Sequence, residues 1–264
     1  MINSSILLTL FSLFILSCFK QNNSNTPLTE ISNNKESLNP DSLEIMEFFT
    51  NHHTPKEASE SIGTVAEGKL KHGKLIPFYG ENYTYFDKDS YLASRAFTHE
   101  KIYSIILDSY ADLLETHPNR KFFLMELSRK EGGEIFPHRT HQNGLSVDFM
   151  MPKLKNGLPC YTLDSLGKSH YLLEFNDQGE YVEDTSIKID FDLVAEHILS
   201  LNKNANKLGY KIQKVIIKVS LKDELFKTSH GQKLKNSSIY IVKSLTPLIN
   251  NLHDDHYHID FQKI

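Results

Sequence analysis

The chain has no tryptophan and only two cysteines, Cys18 and Cys160, in 264 residues. Two cysteines cannot build a disulfide framework, and they exclude a cysteine-rich zinc finger. Neither sign of charge is in large excess. The formal net charge of −4 argues against the basic face that a duplex-DNA binder needs, so no nucleic-acid partner is expected. Internal repeats are absent. Gly132-Gly133 is not followed by the GxxxxGK[ST] pattern of a phosphate loop and reads as a turn. No GxSxG elbow exists either, and the adjacent Ser229-His230-Gly231 reads as a turn rather than a nucleophile with its base. Hydrophobic residues at 39% and charged residues at 23% describe an ordinary globular protein with enough apolar material for a core.

One apolar run is present, at residues 6–16, broken only by Thr9 and Ser12. It has the length of a signal-peptide core and is short for a bilayer span. Ile15-Leu16-Ser17-Cys18 then resembles a bacterial lipobox, in which the cysteine becomes the lipidated terminus. The first five residues lack the usual Lys or Arg. The expectation is a lipoprotein-type signal over residues 1–18, anchoring the mature chain to a membrane through Cys18 and leaving Cys160 as its one thiol. Residues 19–40 are rich in Asn, Ser, Thr and Lys without apolar periodicity, as a solvated tether would be. On the same expectation, tether and short helix together occupy residues 19–57, and residues 58–264 form the main globular domain.

Residues 41–49 read as a short helix begun near an acidic cap. Gly63, Gly68, Gly73 and Gly80 punctuate a stretch suited to short strands and tight turns. Thr98 is placed to cap a helix carrying Ile102, Ile106, Tyr110 and Leu113 at helical spacing, closed by Pro118. Residues 121–127 and 145–151 read as strands; in the second, Asp148 shares a face with Ser146 while Val147 and Phe149 point the other way. Residues 192–208 read as an amphipathic helix ending at Gly209, with His197 on its inner stripe as a satisfied core histidine. A strand at 214–219, a helix at 239–252 interrupted at Pro247, and a last strand at 257–261 complete the pattern. Without a regular βαβ rhythm, the fold class expected is α+β: one domain whose antiparallel sheet carries a zinc site, flanked by helices. His52-His53 falls in a linker-like segment and is expected to be solvated.

The chemistry concentrates in two segments. The tail runs His253-Asp254-Asp255-His256-Tyr257-His258, and an upstream loop runs His138-Arg139-Thr140-His141 to Asp148. His256 and His258, two apart on a strand, project from one face. With Asp148 on a neighbouring strand and His141 at its entrance, they would supply two imidazoles and a carboxylate, with one further imidazole beside the ion. A catalytic zinc takes such a set and keeps one position open for water, whose pKa falls toward about 7. A lone HxH more often marks the polar face of an exposed strand; two histidine clusters with an aspartate on an otherwise apolar strand shift the balance to Zn2+.

The loop resembles the H-x-[ST]-H-Q-x-G-x-x-V-D signature of the penicillin-insensitive murein endopeptidases, and the tail resembles that family's H-x-x-H-x-H. The family belongs to a wider clan with lysostaphin-type and D-Ala-D-Ala metallopeptidases. Ser61-Ile62-Gly63, Gly73, Leu75-Ile76-Pro77 and Gly132-Gly133 extend the likeness over roughly residues 58–261. The resemblance implies that His141, Asp148 and His258 are zinc ligands and that His256 is the catalytic histidine beside the metal. It implies that His138 and His253 are further active-site histidines. The substrate implied is the peptide stem of peptidoglycan, cut at a D-alanyl-meso-diaminopimelate type amide in the bacterial periplasm, from an outer-membrane anchor. Water is then the nucleophile, so no acyl-enzyme forms for a β-lactam to trap. Two alternatives stay open: a D,D-carboxypeptidase of the same clan, and a non-catalytic lipoprotein that binds wall peptides. The chain departs from the family pattern at Ser146, where an acid is usual, and lacks cysteines for the family's disulfides. No match to a further Asp and His of the family is found around residues 177–181.

Overall fold

A computed structural model describes residues 40–52 and 55–264. The expected signal, Cys18, nearly all of the tether and His53 lie outside the described residues. Helix α1 (Pro40–His52) covers the segment read as an acid-capped helix and extends it to His52. The His52 ring lies on Phe48, centroids 4.4 Å apart, and Nδ1 reaches the Phe48 carbonyl at 2.8 Å. His52 is therefore a helix-end residue packed on its own helix, not the solvated linker residue expected.

The glycine-punctuated stretch gives a hairpin of β1 (Glu60–Gly63) and β2 (Gly68–Lys71), followed by β3 (Lys74–Leu75), β4 (Tyr83–Tyr85), α2 (Lys88–Leu92) and β5 (Phe97–Thr98). Helix α3 (Glu100–Thr116) starts one residue later than Thr98 would dictate. His99 is its cap, with Nδ1 accepting from the Lys101 amide at 3.1 Å. Thr98 is occupied elsewhere, because its hydroxyl donates to the Gly144 carbonyl at 2.9 Å. Strands β6 (Phe122–Leu124), β7 (Ser146–Met150), β8 (Lys153–Lys155), β9 (Leu158–Cys160) and β10 (Ile187–Ile189) lead to α4 (Phe191–Lys207). Asp190 caps α4, and Gly209, at φ 76°, allows the chain to leave it. Then come β11 (Tyr210–Ile216), α5 (Lys222–Lys227), α6 (Ser229–Lys235), α7 (Pro247–Asn251) and β12 (His256–Lys263).

The main sheet has the order β11-β12-β7-β6-β4. Its first three pairings are antiparallel, but β4 and β6 run parallel, so the sheet is mixed rather than purely antiparallel. The reason lies in the connection: the chain from β4 to β6 passes through α2, β5 and α3, the long crossover that parallel neighbours need. Two other readings also give way. Ser229-His230-Gly231 is the first turn of α6, where the Gly231 amide donates to Thr228 Oγ1 at 3.0 Å. Residues 239–246 are not helical. Val215 donates to the Tyr240 carbonyl at 2.9 Å and accepts from Val242 at 3.0 Å, which holds that segment along β11. Only Pro247–Asn251 is helix, with Pro247 in its first turn, where a missing N–H costs nothing. No helix among the described residues is long and apolar enough to cross a membrane. Cys160 is buried, its Sγ 2.9 Å from Thr162 Oγ1.

Helices α3 and α4 pack on each other and on one face of the sheet. His197 sits in that layer as the satisfied core histidine expected. Its Nδ1 is 2.5 Å from the Tyr257 hydroxyl, its Nε2 is 3.1 Å from Ser109 Oγ, and its ring lies 4.9 Å from Phe149. Burial pushes its pKa down to about 3. Replacing His197 by Ala should cost about 2–4 kcal/mol at neutral pH, from the cavity and the Tyr257 hydroxyl left without its partner. Below an unfolded pKa of about 6.5 only the unfolded wild type binds that proton, so wild type loses about 1.4 kcal/mol per pH unit on this account. The gap between variant and wild type in urea unfolding should narrow as pH falls from 7 to 5; a constant gap would contradict the assignment.

Candidate metal centre

Alternation along β12 decides what faces where. Tyr257, Ile259 and Phe261 enter the helix-covered core, each at most 1% exposed. His256, His258 and Asp260 therefore share the opposite face. β12 pairs with β7 so that His258 lies across from Asp148, Asp260 from Ser146 and His256 from Met150. Directly opposite residues share a face, so the pairing alone brings an imidazole of the tail onto the aspartate of the upstream motif.

His141 arrives from the loop before β7 in a left-handed backbone conformation, φ 68°, which a non-glycine residue adopts at a cost of roughly 1–2 kcal/mol. Ser128 holds it there. The Ser128 hydroxyl donates to the His141 carbonyl at 2.5 Å and accepts from the Gly144 amide at 2.8 Å. Gly132, at φ 72°, lets the turn approach this loop, since a Cβ there would lie 2.2 Å from the Gln142 carbonyl.

The donors converge. His258 Nδ1 is 2.7 Å from Asp148 Oδ1 and 3.1 Å from His141 Nε2, and the last two are 3.3 Å apart. An ion bound tetrahedrally at about 2.0–2.2 Å holds its ligands roughly 3.3–3.6 Å apart, so the three atoms converge at hydrogen-bonding distances somewhat inside that spacing. His138 comes from the other side, with Nδ1 3.5 Å from Asp148 Oδ2. His138, His141 and Asp148 also form a group whose ligand atoms all lie within 4.8 Å of one another. The chemistry fits a metal on a second count: Asp148 Oδ2, on the carboxylate these imidazoles share, is buried without a hydrogen-bond partner.

Three of the imidazoles, those of His258, His138 and His256, have a carboxylate behind them. Asp260 Oδ1 lies 2.7 Å from His258 Nε2 and accepts from the Ser146 hydroxyl at 2.6 Å, while Lys214 Nζ is 3.0 Å from its other oxygen. Ser146 thus works together with Asp260, which supplies the acid that residue 146 does not. Glu126 Oε2 lies 2.5 Å from His138 Nε2, and Arg95 donates to Oε1 at 2.7 Å. Asp255 Oδ1 lies 2.7 Å from His256 Nδ1. Such outer carboxylates fix the ring and tautomer of a metal-site histidine. His253 instead donates Nδ1–H to the Ile249 carbonyl at 2.6 Å and stacks on His256, centroids 4.8 Å apart. The edge of Tyr171 meets His256 at 5.2 Å.

The electrostatics follow from this arrangement. Burial pushes the Asp148 carboxyl up, but His141 and His258 outweigh it and hold its pKa well below the usual range. Burial opposes charge on His258 too, yet Asp260 and Asp148 raise its pKa to about 10. His258 is therefore an imidazolium bridging two carboxylates, and a divalent cation competes there with one proton. Burial, with His256 adding to it, drives His253 down to about 3 and keeps it neutral. Burial lowers His141 against the pull of Asp148.

All six residues singled out in the sequence, His138, His141, Asp148, His253, His256 and His258, come together around this point. Sequence reasoning missed Glu126, His170, Asp255, Asp260, Lys153 and Tyr171. Period-two counting from His256 and His258 reaches Asp260, and an acid inside the apolar run at 122–127 pointed to Glu126. Nothing in the sequence ties His170 or Lys153 to the tail.

A mixed sheet with helices on one face and a buried His-His-Asp cluster on the other defines an α+β protein with a candidate metal centre. The chain belongs to the penicillin-insensitive murein endopeptidase family, whose model matches residues 61–262. Membership points to peptidase activity on peptidoglycan and to the cell envelope. A search of curated proteins returns no match.

Because Ser128 both holds the left-handed His141 and satisfies Gly144, Ser128→Ala should lower unfolding free energy by about 1–3 kcal/mol. Urea denaturation checks this, and a loss under a few tenths of a kcal/mol would mean the loop is held by other bonds.

Proposed function

We propose that the protein is a zinc-dependent endopeptidase that hydrolyses peptide cross-links of peptidoglycan, of the D-alanyl-meso-diaminopimelate type. The observation that carries this reading is the convergence of His141 Nε2, Asp148 Oδ1 and His258 Nδ1 within 3.3 Å on the face of a sheet. These three residues would hold the ion, and His138, whose Nδ1 faces Asp148 Oδ2, would line the site. The shorter contacts of His258 favour it over His138 as the third ligand.

A zinc ion in that position supplies Lewis-acid chemistry, acidifying a water and polarising the scissile carbonyl. The chain supplies the proton handling. His256, with Nδ1 held by Asp255, presents Nε2 as acceptor for the proton that the attacking water loses as its oxygen bonds to the carbonyl carbon. The same ring returns that proton to the amide nitrogen as the C–N bond breaks. His253, neutral and donating Nδ1–H to Ile249, presents its other nitrogen as an acceptor beside His256. His138, its Nε2 anchored by Glu126, turns Nδ1 toward Asp148 Oδ2 at 3.5 Å and lines the site. Export with anchoring through Cys18 accords with a wall substrate and rests on the Ile15-Leu16-Ser17-Cys18 sequence.

Digestion of dimeric cross-linked murein fragments with mass analysis separates the readings. Release of monomeric stems is expected; loss of a single terminal alanine would make the protein a carboxypeptidase, and binding without cleavage a recognition lipoprotein. His256→Ala should retain its zinc while kcat falls about 100-fold or more. Turnover within 2-fold or so of wild type would remove His256 from the chemistry.

A further inference from the structure

We propose that Lys153 is a positioning residue that fixes, through His170 and Asp255, which ring nitrogen of His256 is left free to face the site. This rests on the role given to His256 above. Lys153 opens β8 and is fully buried, an unusual place for an ammonium. Its Nζ lies 3.0 Å from the Met151 carbonyl, 2.8 Å from Asp164 Oδ1 and 2.9 Å from His170 Nε2. An ammonium has three hydrogens to donate and no lone pair to accept with. Three acceptors take the three hydrogens, so the group is satisfied and every bond has one direction.

That direction propagates. His170, in the 3-10 turn at Gly167–Leu172, accepts on Nε2 and so carries its proton on Nδ1 when neutral. Burial first, and Lys153 second, push its pKa down and keep it neutral. Nδ1–H then donates to Asp255 Oδ2 at 2.6 Å. Asp255 is 1% exposed and ionised: burial pushes its carboxyl up, but His256 and His170 outweigh that and lower it. With Oδ2 held by His170, the carboxylate cannot turn, and Oδ1 stays 2.7 Å from His256 Nδ1, which must donate. His256 Nε2 is the nitrogen that remains. A cation two side chains away from His256 thus sets the proton position on the ring proposed to do the chemistry. If Lys153 had no hydrogen to donate, His170 could hold its proton on Nε2, Asp255 would lose a fixed donor, and its carboxylate could rotate away from His256.

The test is ring-nitrogen NMR on the full, zinc-loaded chain labelled at histidine, at mildly alkaline pH. His170 and His256 should both carry their proton on Nδ1, and either ring protonated on Nε2 overturns the proposal without any variant having to fold. The double variant Lys153→Met/Asp164→Asn removes the donor without stranding a buried carboxylate. It should keep zinc stoichiometry and KM while kcat on dimeric murein fragments falls about 10- to 100-fold, since a misplaced tautomer costs catalysis and not binding. His170 should then show mixed tautomers. A variant with wild-type kcat and an unchanged His170 spectrum refutes the relay. If the wild type does not cut murein at all, the enzymatic reading fails, while the ring spectra still decide the hydrogen-bond chain.

Discussion

The site depends on one register. β12 pairs with β7 so that His258 stands opposite Asp148, and everything else about the centre follows from that alignment. Because side chains alternate with a period of two, a slip of one residue in β12 would turn His256, His258 and Asp260 into the helix-packed core. Tyr257, Ile259 and Phe261 would then face the acid of the upstream motif. The aromatic layer below prevents this: Tyr257 stacks on Phe149 at 5.4 Å and meets His197 of α4 through its hydroxyl. Core packing on one face of the sheet is thus what holds the polar constellation on the other face in place.

That constellation is costly to bury, and its composition shows how the cost is offset. Asp148, Asp255, Asp260 and Glu126 are each at most 2% exposed. An isolated buried carboxylate costs several kcal/mol, so each needs cations or donors around it. Arg95, Lys214 and the histidines provide them, and Lys153 does the same one layer further out. The result is a set of imidazoles whose hydrogen-bond directions are assigned before any ligand arrives. Asp148 Oδ2, at the heart of the cluster, remains without a hydrogen bond.

Much of this was legible in the chain. The alternation around Asp148 and the HxH of the tail mark two strands whose polar faces meet, and helical spacing, a local property, marks His197 as a core residue. His52 departs from expectation through a neighbour on its own helix, but the other departures share a cause, a partner distant in sequence. Thr98 has the chemistry of a helix cap but spends its hydroxyl on Gly144. Residues 239–246 have helical spacing but are claimed by Val215. The parallel β4–β6 pair depends on how a crossover of two helices packs. Ser146 looked like a missing acid until the fold brought Asp260 beside it. Lys153 and His170 carried no signal at all, since buried hydrogen-bond chains join residues that no periodicity relates.

The central claim is that His141, Asp148 and His258 form a metal site. X-ray absorption and elemental analysis of the purified chain test it most directly. About one zinc per chain, with a first shell of two imidazole nitrogens and oxygen, is the expected result. His258→Ala should lose most of that metal while remaining folded. A well-folded wild type that takes up no added zinc, or a His258→Ala variant that holds it as tightly as wild type, would contradict the account.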